Sequence, residues 1–350
     1  MQIKKEVLVS DVPGLYAVGE VMLDGVRYYA AASEDHNGKV MLVHSETKEV
    51  TMLSGGLGGC MAVLPAPEKN CLLYIEEFYP VFDSATAKVI RVQLKKTGES
   101  YEVESRTVVA EVPYVHRISV IKEEDGYYLA CGRLCKHKDN PDDWSTSGTM
   151  EIYKYVLNGT AADPELVQDG IYKHHAMFVK KNAEGFDDLY YGGTAGAFKT
   201  IRKDGKWITT QLLDVPVSDI VVQDLDEDGV DEISIIEEFH GDQAVVFKKK
   251  ADGYERCLEI PMKFGHVLWG GTVLGRPALI CGSRAGDKKL AIYRFKQTVD
   301  GMLGISEEVI TDDGQAPAQL HVDDFDTSSC LLAANHGAHE LVRYTVLKNS

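Results

Sequence analysis

Six short segments, CMAV, HRIS, HAMF, DIVV, HVLW and QLHV, each open an apolar, strand-like run, and their leading residues are Cys60, His116, His175, Asp219, His266 and Gln319. Neutral imidazole nitrogens with one or two oxygen ligands suit a divalent transition ion such as Mn, Fe, Ni or Zn. A lone histidine at a strand start is ordinarily a hydrogen-bonded polar residue. Three in register, with Asp and Gln at the same place in two further segments, instead predict a metal site made of His116, His175, His266, Asp219 and Gln319. Asp219 could alternatively hydrogen-bond a ligating histidine, and His174 replaces His175 if the register slips by one residue.

A second set of useful groups follows the next apolar run of each segment. EEFHGDQ carries His240, GSRAGDK carries Arg284, and NHGAHE carries His336 and His339. These four are the candidates for acid/base and anion-stabilising work. EDHNG, EEFYP and GRLCKHKD add His36, Glu76, Glu77, Arg133 and Lys136, each of which reads alone as solvated surface. The longest such loop, RLCKHKDNPDDWSTSGT, carries Trp144 and reads as a lid, a sugar-stacking element or variable surface.

The stretch DLDEDGVDE at 224–232 crowds carboxylates around Gly229. An EF-hand loop beginning at Asp224 needs a bidentate Glu at its twelfth position, where this chain has Ile235. The flanks IVVQ and EISII are β-branched runs, so the stretch is a turn between strands. Asp224, Asp226, Asp228 and Asp231 are the candidates for a structural calcium, although Asp-rich turns also form on side-chain to backbone hydrogen bonds alone.

What could bring such distant segments together is a repeat. Seven units each run through a short strand, a turn, a strongly apolar strand, a polar loop and a third strand. The apolar strands read RYYAAAS, CLLYIEE, GYYLACG, DLYYGGT, EISIIEE, PALICGS and SCLLAAN. Four-stranded sheets arranged radially make an all-β, seven-bladed β-propeller, here as one domain over 1–350. Only three strands remain for the last unit, so the N-terminal KKEVLVS is predicted to close the ring as that blade's outer strand. In this architecture the innermost strands line a central channel, and the column from His116 to Gln319 converges there. The Asp-rich turn lies on the opposite face.

The D-x-D-x-D-G-x-D-E turn after a short apolar strand resembles the FG-GAP or VCBS repeat, a propeller module that sometimes holds calcium. The blade pattern with His116, His175, His266 and Gln319 resembles propeller lyases of the oligogalacturonate lyase and aldos-2-ulose dehydratase type. That resemblance implies a central metal serving β-elimination from a sugar acid or keto-sugar. A lactonase-like metal hydrolase and a non-enzymatic binding platform are the alternatives, since fold alone does not choose among them.

The 350 residues carry a formal net charge of −17, which disfavours nucleic acid and anionic membranes as partners and leaves neutral or metal-bridged small molecules open, among which the resemblance to propeller lyases implies a sugar-derived substrate. No apolar run approaches the roughly 20 residues of a membrane helix, and MQIKKEVLVS lacks the apolar core of a signal peptide, so a cytoplasmic location is expected. The seven cysteines, in apolar contexts such as YYLACG, read as reduced thiols.

Overall fold

The computed structural model describes residues 1–79, 83–299 and 301–348; Pro80 of the EEFYP loop lies outside them. Seven antiparallel sheets of four strands form a ring, and no helix occurs among the described residues. Blades 1 to 6 each use four consecutive strands in chain order. Their inner strands are β2 (Leu15–Leu23), β6 (Val63–Pro65), β10 (Val115–Glu123), β14 (Ala176–Lys181), β18 (Val217–Gln223) and β22 (Gly265–Val273). Blade 7 is built from β26 (Pro317–Asp324), β27 (Ser328–Asn335) and β28 (Glu340–Leu347), with β1 (Gln2–Val9) paired antiparallel outside β28. The seven blades and the closing N-terminal strand therefore appear as the repeat predicts.

The second strand of each blade is apolar because it is covered on both sides by neighbouring blades. In β7 (Cys71–Glu76) every residue of CLLYIE is buried. Outer strands such as β21 (Gly253–Pro261) are mostly exposed or half-buried, as expected where one face meets water. Near the axis the blades approach closely. A Cβ on Gly270 would lie 2.2 Å from Val221 Cγ1 of the preceding blade, so no side chain fits there.

One local feature positions the site. Close to the start of β2, β10, β18, β22 and β26 the ladder to the second strand skips one residue, and the skipped residues are Tyr16, His116, Ser218, His266 and Ala318. Such a bulge leaves a residue out of the pairing and re-aims its side chain. His175 stands immediately before the first paired residue of β14, Ala176.

Candidate metal centre at the propeller axis

These positions come together at one end of the channel. The His175 Nδ1 lies 2.7 Å from the Ser218 carbonyl of the next blade, and the His266 Nδ1 lies 2.8 Å from the Ala318 carbonyl. A carbonyl only accepts, so Nδ1 carries the proton in both rings and Nε2 presents its lone pair. His240 enters from the loop after β19 (Glu232–Glu237). That loop turns sharply, with φ of 63° at Glu238 and 52° at His240, and a Cβ on Gly241 would lie 1.7 Å from the Glu237 carbonyl oxygen. The His240 amide donates to Ser218 Oγ at 3.1 Å, so Ser218 orients two histidines. His175, His240 and His266 each offer a ring nitrogen, and the three lie within 4.8 Å of one another. Nε2 of both His175 and His240 is buried without a hydrogen-bond partner. Orphaned, convergent imidazole nitrogens of this kind fit a transition ion.

The surroundings keep these rings uncharged. Tyr16, His116, His175 and His266 are no more than 3% exposed. Burial, reinforced by neighbouring rings and by Arg117, holds His116, His175 and His266 well below the ordinary histidine range, and brings His240 down to about 3. The Tyr16 hydroxyl lies 3.3 Å from His266 Nε2 and 3.5 Å from His116 Nε2, with burial raising its pKa to about 12. Arg284 reaches His266 Nε2 at 3.4 Å and His336 at 2.9 Å, and His336 is held in turn by Glu34 at 2.7 Å. Three rings roof the cluster from the loop face. Phe264 stacks on His240 at 4.4 Å, Phe239 lies tilted against it at 4.1 Å, and Phe78 meets His116 edge-on at 5.2 Å. Trp144 packs on Phe239 at 5.4 Å, which places the long loop over the roof.

No protein-family model matches the chain, and no curated protein matches it in sequence. Solved structures do. The crystal structure of BBS1N in complex with ARL6DN, soaked with mercury, superposes with a TM-score of 0.59 over 99% of this chain and 96% of that one, at 12% identity. The same complex soaked with lead gives 0.59 at 13% identity over the same shares. At this identity the likeness is one of fold.

Of the residues predicted to bind metal, His175 and His266 meet at the axis, and His116 stands beside them with its ring 4.3 Å from that of His175. Asp219 and Gln319 do not reach the cluster. The bulges put Ser218 and Ala318 in the histidine position, so Asp219 and Gln319 pair in the ladder one step further along and line the channel beneath. Gln319 is already engaged, its Oε1 accepting from the Val18 amide and its Nε2 donating to the Met61 carbonyl. His240, expected as an acid or base, lies in one group with His175 and His266. His174 turns away from the axis, with its Nδ1 2.9 Å from the Thr149 carbonyl. His336 adjoins the site through Arg284, whereas His339 is exposed with its ring 6.5 Å from that of His336. Tyr16 escaped the sequence reading because blade 1, LYAV, was left out of the column; aligned with the other blades, it falls in the histidine position.

Asp219 has a cost that can be measured. Burial raises its carboxyl from 3.8 to about 6, against the pull of Arg117. A raised acid pKa gives stability that is present below about pH 4 and lost as pH rises through 6. Asp219→Asn is therefore expected to gain about 2 kcal/mol at pH 8 in urea unfolding. An equally stable or weaker variant would overturn this.

In the Asp-rich turn, on the opposite face, the positive charge comes from the chain. The Lys248 ammonium on β20 (Gln243–Lys250) meets Asp226 at 2.6 Å, Asp228 at 2.8 Å and Glu232 at 3.1 Å. Asp224 accepts the amides of Asp228 and Gly229, and Asp231 pairs with Lys180.

Proposed function

We propose that the chain is a metal-dependent lyase or dehydratase working at the propeller axis, with a divalent Mn, Fe, Ni or Zn ion held by His175, His240 and His266. The observation that carries the reading is the convergence of three imidazole nitrogens, those of His175 and His240 buried and unpartnered, with the His175 and His266 rings oriented by backbone carbonyls. A bound ion there would act as a Lewis acid toward a substrate carbonyl or carboxylate. Around it the chain supplies an uncharged base, His116, a weakly acidic phenol, Tyr16, and a fixed cation, Arg284. In a β-elimination the base takes the proton next to the carboxylate, the carbon–oxygen bond at the β position breaks, and the phenol protonates the departing oxygen. Arg284 faces the developing negative charge. Phe264 is 39% exposed, so the roof over the histidines is itself at the surface. The resemblance to oligogalacturonate lyases and aldos-2-ulose dehydratases makes sugar acids and keto-sugars the first substrates to screen. The likeness of the 224–232 turn to FG-GAP or VCBS loops belongs to the scaffold rather than to the chemistry.

The test is elemental mass spectrometry on protein purified without chelator, compared with His175→Ala/His266→Ala. Loss of two of three ligands is expected to remove a stoichiometric transition ion, with circular dichroism unchanged. Wild-type protein that carries no such ion and takes up none on loading would sink the lyase reading and leave a binding platform in its place.

A further inference from the structure

Below the histidines the channel changes character. Two adjoining cavities, of 220 and 400 Å³, share Arg117, Met177 and Gln319 in their walls. The inner strands run from the loop face toward the face of the Asp-rich turn, so residues later in each strand lie deeper. The deeper walls are apolar, formed by Val120, Leu268, Leu320 and the ring of Trp269. Small-molecule sites span roughly 300–1,000 Å³, and this space suits one small ligand.

Two opposite charges stand at the head of these apolar walls. Arg117 Nε donates to the His175 carbonyl at 2.9 Å, and among the described residues no carboxylate comes within 4.0 Å of its guanidinium. Asp219 accepts the amide of the adjacent Ile220 at 3.0 Å, a contact within its own strand. Burial works against the ionised carboxylate, and the Arg117 charge favours it without pairing to it. Both ends of the Gln319 amide are engaged by backbone groups. Arg117 and Asp219 are both half-buried, and leaving a cation and an anion unpaired in a partly enclosed channel is costly. A ligand that meets both at once recovers that cost, and the guanidinium fork matches a carboxylate.

We propose that the channel binds an apolar α-amino acid, with its carboxylate on Arg117, its ammonium on Asp219 and its side chain against Met177, Leu268 and Trp269. The site stands on the channel alone and does not depend on a metal at the histidines. A neutral sugar would leave both charges unmatched, and a fatty acid would leave Asp219 without a partner.

The test is calorimetric titration of chelator-treated protein, so that its outcome is separate from that of the metal measurement. The probes are L-leucine, L-phenylalanine, N-acetyl-L-leucine and L-leucinamide. The free amino acids are expected to bind, and removal of either charge should weaken binding on the order of thirtyfold or more. Asp219→Asn should erase the preference for leucine over N-acetylleucine, and Arg117→Met the preference for leucine over leucinamide. Asp219→Asn is expected to fold at least as well as the wild type, so its result is not confounded by unfolding. No binding of either amino acid at millimolar concentration would overturn the proposal, as would equal binding of leucine and N-acetylleucine by the wild type.

Discussion

Metal-free protein brought from pH 7 to pH 5 is expected to lose about 5 kcal/mol of stability and to approach its cooperative unfolding transition. Five histidines carry the effect. Burial holds His116, His175 and His266 well below their ordinary range, and brings His174 to about 4 and His240 to about 3. Each has a folded pKa below its unfolded value near 6.5, so its contribution is present above that value and lost as pH falls. At pH 5 the unfolded chain takes up nearly one proton at each site, while the folded chain takes up almost none. The loss per histidine over this interval is about 2 kcal/mol, and the whole stability of a domain is about 5–15 kcal/mol. Three groups oppose it. His321, raised to about 9 by Asp323 and Glu20 against its own burial, Asp219, and Glu123, raised by burial to about 7, together return about 4 kcal/mol on acidification. Proton uptake of about three per molecule on unfolding at pH 5, by potentiometry beside circular dichroism, is the measurement. An acid midpoint that does not fall in His174→Gln or His116→Gln would count against this account.

Lys248→Met is expected to cost about 3–5 kcal/mol, because it leaves Asp226 and Glu232 as buried carboxylates without their shared cation. Neither side chain has any solvent exposure. The same change makes the turn a stronger calcium ligand, since Asp224, Asp226 and Glu232 already offer oxygens within 4.8 Å of one another. Thermal unfolding in chelator should show a drop on the order of 10 °C. Millimolar calcium should recover much of that loss in the variant and change the wild type little. A variant as stable as the wild type in chelator would show that the ammonium is not what holds the turn.

These outcomes bear on what could be read from the chain. The blades were legible because a buried strand between two polar loops recurs seven times, and the spare strand at the start had only one incomplete blade to join. The histidine column was legible because equivalent positions converge at a propeller axis. Its membership was off by one in two blades, since nothing in DIVV or QLHV announces a bulge that hands the axial position to Ser218 and Ala318. Arg117 was hidden by its place immediately after a more conspicuous histidine. Lys248 stands far from the turn in sequence and reaches it only across the hairpin from β19 to β20. Through-space charge of that kind leaves no mark in a local pattern.

The closing strand sets the order in which the molecule can be completed. Ile3 pairs with Val346 and Val7 with Val342, so strand β1 finds its ladder only after the rest of the chain exists. Closing so long a loop carries an entropic cost that grows slowly with length but is met late. During synthesis the outermost edge of blade 7 and the first strand are each without a partner, and both are open to pairing with another chain. The charges on that strand, Lys4, Lys5 and Glu6, with Glu6 tied to Arg343 once the ring shuts, guard the interval.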